Sequence, residues 1–175
     1  MTWVLPSSPQ SPAYRDVFAS IETERDRRRK IARRRALCEA DFWAYLRIVS
    51  SFGRFRIQDR NHPARGQRWV DQPWVFARAR EIQGDIDERR TMVFFNYQRF
   101  YFKTELRTRQ ATLWTLARNP SETTGIITDK KQGPGEKMME GINDEVTRNA
   151  VLKATWPETF GEVAQKDKES MTVGR

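Results

Sequence analysis

Lys103 and Thr104 are the residues whose types and spacing point most directly to chemistry. The apolar run from Met92 to Phe95 predicts a buried strand, a short turn follows, and the residues from Lys103 onward have helical spacing. A strand, a turn and a helix that begins at Lys-Thr is the layout of a phosphate-binding loop. Lys103 would then lie near the terminal phosphates of a nucleotide, and Thr104 would offer its hydroxyl to Mg²⁺.

The turn before Lys103 contains no glycine. Tyr97 and Phe102 stand where the standard spacing has glycines, which allow positive φ and a close approach of the backbone to phosphate. Bulky residues at these two positions would strain the backbone or narrow the space that the loop leaves for a phosphate group. Arg99 supplies a second cation in the turn. An ordinary strand-to-helix turn with an exposed lysine fits the same residues, and the sequence leaves both interpretations open.

Three segments are predicted to position this turn. Residues 1–13 are rich in proline and serine, which is typical of a disordered lead-in. Residues 14–90 form a helical N-terminal region, in which Asp41 caps one helix and Pro73 breaks or opens another. Residues 91–175 would be the front part of a P-loop ATPase domain.

The third segment alternates strands and helices. This order predicts an α/β fold, with a partial P-loop NTPase-type parallel sheet and flanking helices, preceded by the helical region. The predicted strands are Thr91–Asn96, Thr124–Thr128 and Ser170–Val173, and the helices between them are Lys103–Arg118 and Glu136–Asn149.

The chain is strongly basic, with 32 Lys and Arg residues against 23 Asp and Glu residues, and a net charge of +9. Such a surplus favours polyanionic partners, nucleic acid first. The first helix carries a block that contacts DNA phosphates or, alternatively, forms a solvated face balanced by neighbouring acids. This block consists of Arg27, Arg28, Arg29, Lys30, Arg33, Arg34 and Arg35.

Several classes of site and protein are excluded by composition. Cys38 is the only cysteine and His62 the only histidine, so neither an intrachain disulfide nor a Cys/His zinc site can form. No apolar run approaches the roughly 20 residues needed to span a bilayer, and no secretion signal is visible. An intracellular protein without a membrane partner is expected. The acidic pair Asp144-Glu145 lies inside a predicted helix, so it is rejected as the Mg²⁺-binding acid of an ATPase.

The order of the segments resembles the N-terminal ATPase domain of the large terminase subunit of tailed bacteriophages. Gln98–Thr104 is similar to that family's divergent Walker A loop, with an arginine near its start and an aromatic residue before the lysine. Leu116–Pro120 resembles the following helix end, which leads into the second strand. Trp156–Phe160 is similar to an aromatic-proline turn, and Lys168–Arg175 resembles the strand after it.

The resemblance implies a motor that hydrolyses ATP to package double-stranded DNA into procapsids in the host cytoplasm. Its partners would be the portal protein and the small terminase subunit, and the full-length protein would form a homo-oligomeric ring. ATP and Mg²⁺ would be the cofactors. Arg99, Lys103 and Thr104 match nucleotide-binding positions, with Thr104 on the metal side. Gln72 matches an adenine-contacting glutamine or is a surface glutamine at a helix start.

The Walker B acids and the nuclease domain of that family would lie beyond Arg175. A front fragment, a split gene or a decayed prophage copy is therefore expected, and turnover by this chain alone is not. Two alternatives of another class stay open. The first is a non-enzymatic basic DNA-binding or assembly protein, and the second is an inactive prophage remnant.

Overall fold

The computed structural model describes residues 24–89, 102–121, 134–161, 163–166 and 171–173. Contacts divide the chain into two compact units, one ending at Glu81 and the other starting at Ile82. The described part of each unit is mostly helical.

The first unit is built from helices joined by short 3-10 turns. The predicted helical character of residues 24–49 is confirmed, as is the helix entered at Pro73, where the fixed φ of proline suits a first helical turn. The helices are α1 (Glu24–Ala40), α2 (Phe42–Ile48) and α3 (Pro73–Asp87), which continues past the boundary between the units, and the 3-10 turns are Ser51–Arg54 and Trp69–Asp71.

Asp41 is the N-cap of α2, as its position in the sequence predicts. Its Oδ1 accepts hydrogen bonds from the backbone N–H groups of Trp43 at 2.9 Å and Ala44 at 3.3 Å. The residue is fully buried, and Arg80 donates from Nη2 to Oδ2 at 3.2 Å. The carboxylate therefore has both hydrogen-bond donors and a cation, which a buried charge requires.

Trp43 is the centre of the first unit's core. Its side chain is completely buried, and its Nε1–H donates to the carbonyl of Val70 at 2.9 Å. The ring of Phe76 meets it edge-on at 5.3 Å, and the guanidinium of Arg47 lies over it at 5.1 Å. One residue thus ties α2 to both α3 and the 3-10 turn before it.

Residues 54–66, inside the region predicted to be helical, belong to a hairpin-like loop. The N–H of Ile57 donates to the carbonyl of Gln67, and the N–H of Gly66 donates back to the carbonyl of Ile57, both at 2.9 Å. Arg56 and Arg68 form an antiparallel bridge. Gly66 has φ +84°, a conformation that glycine adopts without steric cost and that closes the loop.

The second unit contains a run of helices followed by a small hairpin. The predicted helices at 103–118 and 136–149 are confirmed with small changes of boundary. The elements are a π segment (Thr104–Gln110), α4 (Ala111–Arg118), α5 (Pro134–Arg148), α6 (Ala150–Thr155), α7 (Pro157–Phe160), β1 (Val163–Lys166) and β2 (Met171–Val173).

The prediction of a parallel P-loop NTPase-type sheet is wrong. The sheet in the described residues is a single antiparallel pair of β1 and β2, in which Val163 faces Val173. Only residues 167–170 connect these strands, whereas a parallel crossover needs a dozen or more residues. The predicted strands Thr91–Asn96 and Thr124–Thr128 lie outside the described residues. The fold of the described part is mostly helical.

Cys38 is completely buried near the end of α1. This burial raises the pKa of its thiol because the thiolate would lose its hydration. The thiol therefore stays protonated through pH 8, and we expect it to react with Ellman's reagent only after the chain unfolds. Labelling in native buffer and in urea measures this, and rapid stoichiometric labelling without urea would contradict it.

Candidate functional site

An open cleft of about 330 Å³ lies in the second unit, where α5 packs against the π segment. Its volume is within the range of small-molecule sites, about 300–1,000 Å³. Two of its side chains are cations and one is a carboxylate, so a small anionic ligand suits it. The lining residues are Thr104, Glu105, Arg109, Lys137 and Met138.

The π segment orients the charged side chains of this cleft. The N–H of Ala111 donates to the carbonyl of Leu106, five residues earlier, which makes the turn wider than that of an α-helix. Glu105 accepts from Arg109 Nη1 at 2.6 Å with one oxygen and from Gln110 Nε2 at 2.8 Å with the other. The carboxylate is therefore held by two partners one turn further along, and it holds the guanidinium of Arg109 in turn.

Phe102 has an unusual backbone conformation directly before Lys103. Its φ is 48°, in the left-handed region, and its carbonyl accepts the N–H of Leu106 at 2.8 Å. A non-glycine residue in this region costs about 1–2 kcal/mol. The sequence spacing puts a glycine of a phosphate loop at this position. Phe102 thus adopts a backbone conformation for which glycine is usually chosen.

The residues selected from the sequence lie in different places. Thr104 lines the cleft and is exposed, and Lys103, also exposed, precedes it. Arg99 lies outside the described residues. Gln72 belongs to the first unit, where it is half-buried and its Nε2 donates to Gln67 Oε1 at 3.2 Å.

Of the five described residues that line the cleft, only Thr104 was selected from the sequence, and both cations, Arg109 and Lys137, were not. Arg109 follows Thr104 by five positions, and the wide turn that aims it has no local sequence signal. Lys137 comes from α5, so only the packing of α5 on the π segment brings it to Thr104.

Two arginines anchor the wall of the cleft to the end of α3. Arg107 forms an ion pair with Asp85, and both side chains are about one-tenth exposed. Arg118 Nη1 lies 2.6 Å from Asp87 Oδ1, and its guanidinium stacks over the Trp114 ring at 4.3 Å. These pairs hold the π segment and α4 in a defined position within the second unit.

Two basic surfaces lie on the first unit. In the α1 block, Arg27, Arg28, Arg29 and Arg33 are exposed, while Lys30, Arg34 and Arg35 are half-buried. Arg35 pairs with Glu39 at 2.8 Å. The second surface, on the hairpin-like loop, was not selected from the sequence. It comprises the exposed residues Arg54, Phe55, Arg56, Arg60 and Arg65.

Among the described residues, no group of three or more His, Cys, Asp or Glu side chains could hold a metal ion. Of the described helices, none combines the length and apolarity that crossing a bilayer requires. Asp144 is exposed and pairs with Arg148 at 3.6 Å, while buried Glu145 accepts from Asn149 at 2.6 Å. Among the described residues, Glu105 is the carboxylate that lines the cleft, and Arg109 and Gln110 engage both of its oxygens. A Mg²⁺ ion beside Thr104 would therefore depend mainly on phosphate and water oxygens, as Mg²⁺ often does.

Comparison with known proteins finds no match to this chain among family models, curated proteins or solved structures. Among the described residues, the cleft beside Thr104 combines a ligand-sized volume with basic side chains from two helices. It is the candidate functional site.

Proposed function

We propose that this chain binds ATP together with Mg²⁺ in the cleft beside Thr104, as the ATP-binding part of a DNA-packaging motor of the terminase type. The proposal rests on one observation: Thr104, which directly follows Lys103 in the sequence, lines the same cleft as Arg109 and Lys137. A triphosphate brings several negative charges, and Lys103, Arg109 and Lys137 would compensate them. The terminase assignment is supported by the order of the sequence motifs.

Each residue has a distinct role in this proposal. Lys103 neutralises the terminal phosphates, and the Thr104 hydroxyl faces the Mg²⁺ ion that accompanies them. Arg109 and Lys137 add positive charge at the walls of the cleft. The positive φ of Phe102 supports this arrangement, because it directs the chain into the helix at the position where phosphate loops usually have glycine.

The motor would act on double-stranded DNA at the portal of a procapsid, in the host cytoplasm. The small terminase subunit and further copies of the full-length protein would complete it. Glu105 lines the cleft, but Arg109 and Gln110 engage its two oxygens, and neither Asp144 nor Glu145 lines the cleft, so we propose no catalytic acid for hydrolysis among the described residues. The proposal for this chain is therefore nucleotide binding rather than turnover.

Calorimetric titration of the purified chain with Mg·ATP tests this function. We expect saturable binding with one site per chain, weakened when EDTA removes Mg²⁺, because the ion bridges phosphate oxygens and the protein. Circular dichroism would first establish that the chain is folded. A helical, cooperatively melting chain that takes up no nucleotide at millimolar concentration would show that the proposed function is wrong.

A second candidate is a non-enzymatic DNA-binding protein, favoured by the exposed arginines of the hairpin-like loop. Each arginine that contacts a phosphate adds about 0.9 to the slope of log K against log salt concentration. We expect the triple variant Arg54→Gln, Arg60→Gln, Arg65→Gln to lower that slope by about 2.7 for a duplex, whether or not ATP is present. Fluorescence anisotropy across a salt series measures it.

The matched comparison removes three exposed charges from α1, in Arg27→Gln, Arg28→Gln, Arg33→Gln. A reduced slope in this variant alone would place the DNA contact on α1. An unchanged slope in both variants would rule out DNA binding through either surface.

A further inference from the structure

Arg109 occupies space that a glycine of α5 leaves open. A Cβ atom built on Gly141 would lie 2.4 Å from Nη2, 2.6 Å from Nε and 2.7 Å from Cζ of Arg109. These distances are far below van der Waals contact, so any side chain at position 141 would displace the guanidinium. Gly141 is buried within α5, where glycine costs up to about 1 kcal/mol relative to alanine. The gain from this glycine is the room it makes for Arg109.

The guanidinium is oriented by Glu105 as well. Nη1 of Arg109 donates to Glu105 Oε2 at 2.6 Å, and the two side chains are 24% and 16% exposed. A guanidinium has five N–H donors in a fixed planar fork, so this bond engages only part of its capacity. Partial burial also strengthens its interaction with any anion that enters, because solvent screens it less.

We propose that Arg109 is a phosphate-binding residue of the cleft and that Gly141 is the positioning residue that keeps its guanidinium there. Arg109 lines the cleft together with Thr104 and Lys137. Its planar fork matches two phosphate oxygens, whereas Lys137 supplies a point charge. That the ligand is a nucleotide rests on the proposed function, but recognition of a triphosphate group can be tested separately.

The test compares Gly141→Ala with Gly84→Ala. Gly84 lies in α3, and no described atom comes within 4 Å of a Cβ built there, so alanine fits freely. Both changes remove a helical glycine, but only the first displaces Arg109. Inorganic triphosphate and Mg·ATP are titrated calorimetrically into each variant. We expect Gly141→Ala to bind both ligands about 10-fold more weakly, a loss typical of one charge-assisted hydrogen bond, and Gly84→Ala to bind as wild type.

Two further variants separate ligand binding from a structural ion pair. Arg109→Lys keeps the charge but loses the fork, and we expect about 5-fold weaker binding of triphosphate. Glu105→Gln removes the carboxylate that competes with phosphate for Arg109, and we expect binding to tighten by about 3-fold. Thermal melts show whether each variant is folded.

The outcomes separate this inference from the proposed function. If Gly141→Ala and Arg109→Lys bind like a wild-type chain that binds Mg·ATP, the inference is overturned and the proposed function stands. If triphosphate binds through Arg109 and ATP does not, the inference stands and the proposed function falls. Binding of neither ligand to folded wild type overturns both.

Discussion

Replacing Lys103 with alanine is expected to weaken binding of Mg·ATP by about 100-fold, the upper range for loss of a hydrogen bond to a charged group. Lys103 is exposed, so it is accessible to a ligand, and it directly precedes Thr104 at the edge of the cleft. Its ammonium would neutralise the terminal phosphates, and no neighbouring residue takes over that position in the proposed arrangement. Calorimetric titration at fixed ionic strength measures the change.

Lys153→Ala is the matched control for this prediction. Lys153 is in α6 of the same unit and does not line the cleft, so its removal lowers the net charge equally without touching the site. A drop in affinity shared by both variants would indicate a general electrostatic effect. Wild-type affinity in a folded Lys103→Ala chain would remove Lys103 from the site.

Trp43→Ala is expected to lower the free energy of unfolding of the first unit by about 3–5 kcal/mol. The indole is completely buried, contacts Phe76 and Arg47, and donates to the carbonyl of Val70. Truncation leaves a cavity and an unpaired buried carbonyl at once. Since the free energy of unfolding of a domain is only about 5–15 kcal/mol, this substitution would remove a large part of the stability of the first unit. Urea unfolding monitored by circular dichroism measures it.

Trp43→Phe and Trp69→Ala provide the comparison. Trp43→Phe keeps most of the apolar volume and loses the hydrogen bond to Val70, so we expect it to lower the free energy of unfolding by about 1–2 kcal/mol. The second truncates a half-buried tryptophan and leaves a smaller cavity, so its cost should fall well below that of Trp43→Ala. Equal losses for Trp43→Ala and Trp69→Ala would contradict the central role of Trp43.

Local chemistry made several helices predictable. Asp41 caps α2 because its carboxylate reaches N–H groups two and three residues ahead, an interaction contained in four consecutive residues. Pro73 opens α3 because its ring sets the required φ. The helix after Lys103 followed from the spacing of its apolar residues, which neighbouring turns of one helix satisfy without reference to the rest of the chain.

Strand pairing was not predictable in the same way. A short apolar run has the same appearance in a parallel and an antiparallel sheet, so the strand at Ser170–Val173 was recognised while its pairing was not. The short connection between β1 and β2 decides the antiparallel direction. The preceding strand, Val163–Lys166, was missed because its sequence alternates weakly and contains two polar residues.

The sequence by itself determined the Lys103-Thr104 pair, the helix that follows it and the basic character of the chain. Only the tertiary structure placed Arg109 and Lys137 beside Thr104. The role of Gly141, which leaves room for the Arg109 guanidinium, also follows only from the tertiary structure. The physical reason is that these contacts depend on the packing of α5 against a π turn, and both the side-chain direction and the room for a guanidinium are set by atoms distant in sequence.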